Sequence, residues 1–282
     1  MGSCMSLYNY LKKNRPDLDV RVFLEFVDKK FNIIENTDQI ITTGYDGTKF
    51  DLFISLDTAS LDRLGLNLPF YENAKRTACI DHHASNDGYA DYNYILPKAS
   101  SASEVLYDLL DEDLIDKSIA EPMYMGIAHD SGVFRFQSTT PKTMRIAANM
   151  IEKGVNVNMI LEETFFRKTY NQMMVTAKIQ SEAVLALDGK CIYGYCTSEM
   201  MEEYGVTTKD LDAVVASIRN VDGVEVAMFL YQLSEDSYKV SLRSKNYVDV
   251  SKIAVENGGG GHVRAAGAEI HGELNDIINK LL

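Results

Sequence analysis

Arg76-Thr77-Ala78-Cys79-Ile80-Asp81-His82-His83 is a short apolar run closed by a carboxylate and two adjacent imidazoles. A run of this texture reads as a buried parallel strand whose carboxyl end delivers Asp81, His82 and His83 to one point. Phe50-Asp51-Leu52-Phe53-Ile54-Ser55-Leu56-Asp57 has the same form and places Asp57 at a second strand end. Helical patterns follow. Ser100 to Leu114 carries Val105, Leu106, Leu109 and Leu110 on one face, and Lys142 to Lys153 runs to a stop at Gly154. The alternation predicts an α/β fold on a parallel sheet, with ligands gathering beyond the carboxyl ends of its strands.

From about Asn158 to Leu187 the pattern is helical with few breakers, which predicts a connecting helix ending at the turn Asp188-Gly189-Lys190. Beyond it, Cys191 to Cys196 alternates as a strand and Lys209 to Ile218 is helical. Val224 to Leu233 is expected to pair with Tyr238 to Arg243 across Ser234-Glu235-Asp236. The expected organisation is a parallel-sheet catalytic domain over 1–160, a connecting helix over 161–188 and a smaller α+β substrate-binding domain over 189–282.

Composition narrows the class. The 282 residues are 46% hydrophobic and 24% charged, which suits one large or two modest soluble domains. No stretch has the length of a membrane span, and neither a basic n-region nor an apolar h-region precedes Lys12, so the expected location is the cytoplasm. Cys4, Cys79, Cys191 and Cys196 show no Cys-x-x-Cys spacing and are expected to be reduced core thiols. A net charge of −13 argues against a protein that coats long nucleic acid, because that binding depends on Lys and Arg. A short anionic substrate remains compatible if bound metals supply positive charge locally. A homodimer is compatible with the sequence.

Two groups of residues carry chemistry. Divalent cations of the hard and borderline kind take carboxylate oxygen and imidazole nitrogen, and phosphoryl chemistry needs several such groups close together. Asp57, Asp81-His82-His83 and His129-Asp130-Ser131-Gly132 supply them, the last after the small-residue helix pattern Met123 to Ala128. Taken singly each has a bland reading, since an Asp after a strand is often a turn former and a lone His often completes a local hydrogen bond. The second group is Asn257-Gly258-Gly259-Gly260-Gly261-His262-Val263-Arg264-Ala265-Ala266-Gly267. Four glycines in a row suit backbone at unusual dihedrals or close to a ligand, with exposed amides as an anion nest and His262 and Arg264 as further donors. Its bland reading is a flexible tight turn.

Together these segments resemble the DHH phosphoesterase superfamily, in the branch of short-oligonucleotide hydrolases that also act as phosphatases on 3′-phosphoadenosine 5′-phosphate. Asp57 in Ile54-Ser55-Leu56-Asp57-Thr58 matches the family's second motif, Asp81-His82-His83 the third, and Ala128 to Phe134 the fourth. Gly258 to His262 with Ala265-Ala266-Gly267 matches the signature of the C-terminal substrate-gripping domain. The resemblance covers nearly the whole chain. It implies that Asp57 bridges two metals, usually manganese, and that His82 and Asp130 complete the second metal's shell. It implies further that His83 faces the substrate phosphate, orienting it or acting as general acid, while Asp81 orients the pair. His262 would bind the terminal phosphate at the far end of a short RNA or small nucleotide, helped by Gly259, Gly260, Gly261 and Arg264, and by Arg219 and Arg243 if these are not merely solvated.

The family's first motif is a strand and His-x-x-x-Asp-x-Asp, followed by Gly-Ser and a helix. This chain opens Met1-Gly2-Ser3-Cys4-Met5, which matches the tail of that motif, and no histidine precedes His82. Asp17, Asp19, Asp28 and Asp38 do not fit a strand end. The catalytic domain is therefore expected to be N-terminally truncated, through an internal start or genuine shortening, with fewer ions than the family's two and much reduced hydrolysis. Alternatives are a phosphodiesterase for linear or cyclic dinucleotides, a pyrophosphatase, which the glycine cluster disfavours, and a nucleotide-binding protein without catalysis.

Overall fold

A computed structural model of the protein describes residues 1–211 and 214–282. The chain divides into two compact units, Met1–Arg167 and Lys168–Leu282. No helix among the described residues is long and apolar enough to cross a membrane.

The first unit begins with α1 (Gly2–Asn14), on which Gly2, Ser3 and Ser6 are buried alongside Met5 and Tyr8. Two short strands, β1 (Val22–Phe23) and β2 (Ile40–Ile41), pair in parallel. The site-bearing sheet follows: β3 (Phe53–Leu56), then α2 (Leu68–Asn73), β4 (Thr77–Asp81) and β5 (Tyr92–Ile95). Its three strands are parallel in the order β3, β4, β5, with Phe53 opposite Thr77 and Leu56 opposite Ile80. That register sets the ends of the two acid-terminated strands side by side, as the sequence predicts.

Helices α3 (Ala102–Tyr107), α4 (Lys117–Asp130), α5 (Pro141–Glu152) and α6 (Val157–Leu161) complete the unit. Val105, Ile119, Met123, Ile127, Ile146 and Met150 join Met5 in its core. Small residues let α1 meet α4 at close range: a Cβ on Gly2 would lie 2.6 Å from the Pro122 carbonyl oxygen and 2.7 Å from the Gly126 Cα. This crossing holds α4 so that its last turn carries His129 and Asp130. The expected helix over Lys142–Lys153 is present; Thr140 and Thr143 cap one another, Pro141 opens it, and Gly154 at φ +95° ends it.

Two expectations fail. The helix over Ser100–Leu114 stops at Tyr107, because Asp111 accepts from the Asp113 amide and starts a separate 3₁₀ turn, Glu112–Leu114. Leu109 is 48% exposed as a result, instead of sharing the face of Val105 and Leu106. The connecting helix also breaks. α6 passes into a π turn, Glu162–Phe166, Arg167 leaves helical geometry at ψ 128°, and Thr169 caps a new helix with Gln172.

That helix, α7 (Tyr170–Glu182), belongs to the second unit, and the residues after it form β6 (Val184–Ala186). Then come β7 (Cys191–Cys196), α8 (Ser198–Tyr204), α9 (Val214–Ile218), β8 (Val226–Ser234) and β9 (Ser237–Ser244). The unit ends with α10 (Val250–Glu256), β10 (Gly260–His262), β11 (Ala265–His271) and α11 (Leu274–Leu281). The helix expected over Lys209–Ile218 is realised from Val214; residues 212–213 lie outside the described residues. The six strands run β10-β11-β9-β8-β7-β6, antiparallel except for β7 with β8. Met228, Leu230, Val240, Leu242, Ala266 and Ala268 pack under α10 and α11. Ile192, Ala227 and Phe229 of the opposite face pack against α7 and α9.

Candidate active site

Asp57 follows β3 with φ +61°, a left-handed conformation that Asp tolerates better than bulkier residues, and its amide donates to the Ile80 carbonyl at 3.1 Å. The strand end is thus tied to β4, where Asp81-His82-His83 begins. His82 Nε2 lies 3.4 Å from Asp57 Oδ1 and 3.9 Å from Asp130 Oδ2, and His83 Nδ1 lies 3.9 Å from Asp57 Oδ1. One ligand atom each from Asp57, His82 and His83 falls within 4.8 Å of the others. The structure therefore brings together four of the residues singled out from sequence.

Each imidazole is aimed by a neighbour. Asp81 is fully buried and its Oδ1 accepts from His83 Nδ1 at 2.7 Å, while Asn86 Nδ2 donates to its Oδ2 at 2.7 Å and to the Thr58 carbonyl at 3.1 Å. Burial pushes the Asp81 carboxyl up, but the His83 and Asn86 hydrogen bonds overcome this and hold it at about 2. His82 Nδ1 faces the Ala99 carbonyl at 3.4 Å, where it can only donate, and this turns Nε2 toward the two acids. Ser100, next in the chain, is fastened by its amide and hydroxyl to Glu104 Oε2, at 3.2 and 2.5 Å, and Thr143 donates to the same oxygen at 2.7 Å. Glu104 is 2% exposed.

The acids repel one another. Burial pushes Asp130 up to about 6, and the charge of Asp57 adds to this. Burial pushes Asp57 up as well, yet its hydrogen bond and attraction to His82 leave it below the usual carboxylate range. The same contact holds His82 above its ordinary value against the lowering effect of burial. Two carboxylates sharing one imidazole fit a divalent cation that accepts mixed oxygen and nitrogen ligands and displaces the imidazole proton on binding.

His129 plays another part. Thr164 donates its hydroxyl to the Ile160 carbonyl at 2.7 Å, so His129 Nε2 donates to Thr164 Oγ1 at 2.9 Å. The ring packs edge-on against Phe31 and Phe165. Burial, with the charge of Lys30, lowers its pKa to about 4, so it is a neutral anchor for the end of α4. After Asp130, Gly132, Val133 and Phe134 run at φ +57°, +57° and +60°. Ser131, fully buried, braces this left-handed turn through its hydroxyl to the Phe134 amide and its carbonyl to the amides of Arg135 and Phe136.

In the second unit the register aligns His262 with Ala265, Ala265 with Arg243, and Arg243 with Ala227 across β10, β11, β9 and β8. Paired residues share a face, so His262 and Arg243 stand on one side of the sheet over Ala265. Gly260 and Gly267 pair beside them, and a Cβ on Gly260 would meet nothing within 4 Å. Arg219 directly follows α9, which packs on this same face of β8. The glycine run departs from a free amide nest: Gly258 and Gly259 donate to the Val255 and Ala254 carbonyls at 3.0 and 2.8 Å and close α10. Gly259 and Gly261 are dictated by packing, since Cβ atoms there would lie 2.7 and 2.6 Å from the Cα atoms of Ala268 and Ala266. Arg264 puts its guanidinium on the carbonyls of Asn246 and Val248, so its first duty is to a loop.

Asn86, Ser100 and Glu104 escape sequence reading because nothing but the fold relates them to the histidines. The run Ser100-Ser101-Ala102-Ser103-Glu104 does carry one local signal, a capping pattern that Ser101 and the Glu104 amide fulfil.

Comparison with known proteins follows the two units. Residues 1–127 match the DHH family, N-terminal domain, and residues 188–282 match the DHHA1 domain. The chain is 34% identical to the bifunctional oligoribonuclease and PAP phosphatase NrnA of Thermus thermophilus, over 100% of this chain and 84% of that one. It is 26% identical to the protein of the same name from Bacillus subtilis, over 96% and 85%. A crystal structure of an exopolyphosphatase-related protein from Bacteroides fragilis superposes with a TM-score of 0.90 at 22% identity, covering 99% of this chain and 85% of that one.

Proposed function

This chain belongs to the DHH family, and from that premise we propose that it hydrolyses phosphoester bonds in short oligoribonucleotides and in 3′-phosphoadenosine 5′-phosphate. The observation that carries the reading is the convergence of Asp57, His82 and His83 within 4.8 Å over the buried Asp81. The relatives named as oligoribonuclease and PAP phosphatase support the choice of substrates.

Asp57, His82 and Asp130 would hold the cation, with manganese as the proposed ion because their mixed oxygen and nitrogen set suits it. When bound, the ion would neutralise phosphoryl charge and lower the pKa of a water. The chain's own residues do the rest. His83 is the group assigned to the substrate: Asp81 holds its Nδ1, which leaves Nε2 to hydrogen-bond the phosphoryl group and to pass a proton to the departing oxygen. His262 and Arg243, on one sheet face with a floor of Ala265, Gly260 and Gly267, are assigned to the terminal phosphate of the substrate. Small residues keep that floor open to a nucleotide-sized anion, which accords with short substrates and with a net charge of −13.

The test is hydrolysis of the dinucleotide pApA and of 3′-phosphoadenosine 5′-phosphate with manganese, beside the Asp57→Asn variant. Turnover that this variant loses supports the reading. Binding of either compound without turnover would replace it with a nucleotide sensor.

A further inference from the structure

The loop between β9 and α10 is held from both sides by charged side chains, one of them buried. Glu225, 3% exposed, accepts at Oε1 from the amides of Asn246, Tyr247 and Val248 at 2.9, 2.7 and 3.0 Å. Arg264 takes the carbonyls of Val248, at 2.8 Å, and Asn246. The loop is also stitched to the turn that joins β10 and β11. Ser244 donates its amide to the Arg264 carbonyl at 3.1 Å and its hydroxyl to Val248 at 2.7 Å, and the Val250 amide donates to Val263 at 3.0 Å.

These bonds turn the loop's central amides and two of its carbonyls inward. The Tyr247 side chain is left projecting, the residue 68% exposed, with no hydrogen-bond or ring partner for its phenol among the described residues. It follows β9, which ends at Ser244 one residue after Arg243, and the loop that carries it is bonded to the turn that follows His262 at the end of β10. A surface loop needs no three-amide grip on a buried carboxylate merely to stay soluble. The grip makes sense if the aromatic must keep one position, because a fixed ring loses little conformational freedom when a flat ligand stacks on it. An exposed ring at the same end of the sheet as an imidazole and a guanidinium is the chemistry of a nucleotide, with base on aromatic and phosphate on the imidazole and guanidinium N–H groups.

We propose that Tyr247 is a stacking platform for the nucleobase of the nucleotide whose terminal phosphate His262 and Arg243 receive. This rests on the substrate reading above and adds a requirement for a base. Stacking on any base's π face also predicts tolerance of base identity.

The chain has no tryptophan, so Tyr247→Trp introduces a single indole at the platform. AMP should quench its fluorescence saturably, whereas ribose 5-phosphate and inorganic phosphate at equal concentration should not. Tyr247→Ala should raise KM for pApA about 10-fold with kcat little changed, and Tyr247→Phe should restore it. Hydrolysis of pApA by the wild-type protein together with an AMP-insensitive Tyr247→Trp, or an unchanged KM in Tyr247→Ala, overturns the platform. Saturable quenching without any hydrolysis overturns the hydrolase reading and leaves the platform standing.

Discussion

Asp81 and His83 form a hydrogen-bonded pair at 2.7 Å in which the carboxylate is wholly buried and the imidazole reaches the site. Asn86 fills the other oxygen of Asp81, so the pair cannot rotate without exposing an unsatisfied charge. This gives Asp81 a place distinct from that of its neighbours: it holds Nδ1 of His83 and leaves Nε2 to face the site.

Asp81→Asn should therefore leave cation content unchanged and lower kcat by about 10–100-fold, the usual effect of removing an outer partner of a site histidine. The amide can present a donor where His83 needs an acceptor. Metal analysis alongside steady-state kinetics checks it; loss of the cation together with activity would make Asp81 a ligand instead.

Asp130 makes cation affinity depend on pH. Its folded pKa of about 6 lies above the unfolded value of 3.8, so in the cation-free protein its stabilising effect is present at low pH and is lost as pH rises through 6. The cation needs the deprotonated acid. Below pH 6 the apparent dissociation constant for manganese should rise about a hundredfold per pH unit, because Asp130 and His82 must both lose a proton; above pH 6 only the His82 limb remains, at about tenfold per unit, since Asp57 holds that ring above its ordinary value. Calorimetric titration at several pH values measures both limbs, and Asp130→Asn should remove the lower one.

How far the sequence carries can be seen at these same residues. Asp57 and Asp81 were legible because a short apolar run closed by an acid has one dominant reading, and parallel pairing aligns two such ends. The glycine run was legible as unusual backbone but not as a helix stop, since the Gly258 and Gly259 amides close α10 through contacts no pattern displays. The expected connecting helix breaks where Thr169 and Gln172 form a capping box inside a run that otherwise looks continuous. Arg264 matched an anion-binding signature, yet its carbonyl partners lie 16 and 18 residues away in sequence.

The α1–α4 crossing should be intolerant of a single methyl group. A Cβ on Gly126 would run into Ser103 Oγ and stand 3.4 Å from Gly2 Cα, with backbone rather than a flexible side chain on the second side. Gly126→Ala should cost about 1–3 kcal/mol through overpacking, read as a lower midpoint in thermal or urea unfolding. Gly126→Ala combined with Ser103→Gly should recover part of the loss, because the second change clears the hydroxyl and Cβ that the new methyl meets.

Glu104 reaches His82 through the chain itself. Its Oε2 gathers the Ser100 amide, the Ser100 hydroxyl and Thr143, which fixes the peptide whose preceding carbonyl, that of Ala99, faces His82 Nδ1. Glu104→Gln keeps the size and one acceptor but loses the charge that draws three donors to a single oxygen. Manganese affinity should fall by about 10-fold or more through misalignment of His82, while the amide retains enough hydrogen bonding for the unit to fold. Ser100→Ala removes one of the three donors at an otherwise similar volume and should give a smaller loss in the same direction. Calorimetric manganese binding, set beside thermal unfolding of the cation-free variants, separates the two effects: a drop in unfolding temperature with affinity unchanged would mean that Glu104 serves the core of α3 and α5 and leaves His82 indifferent.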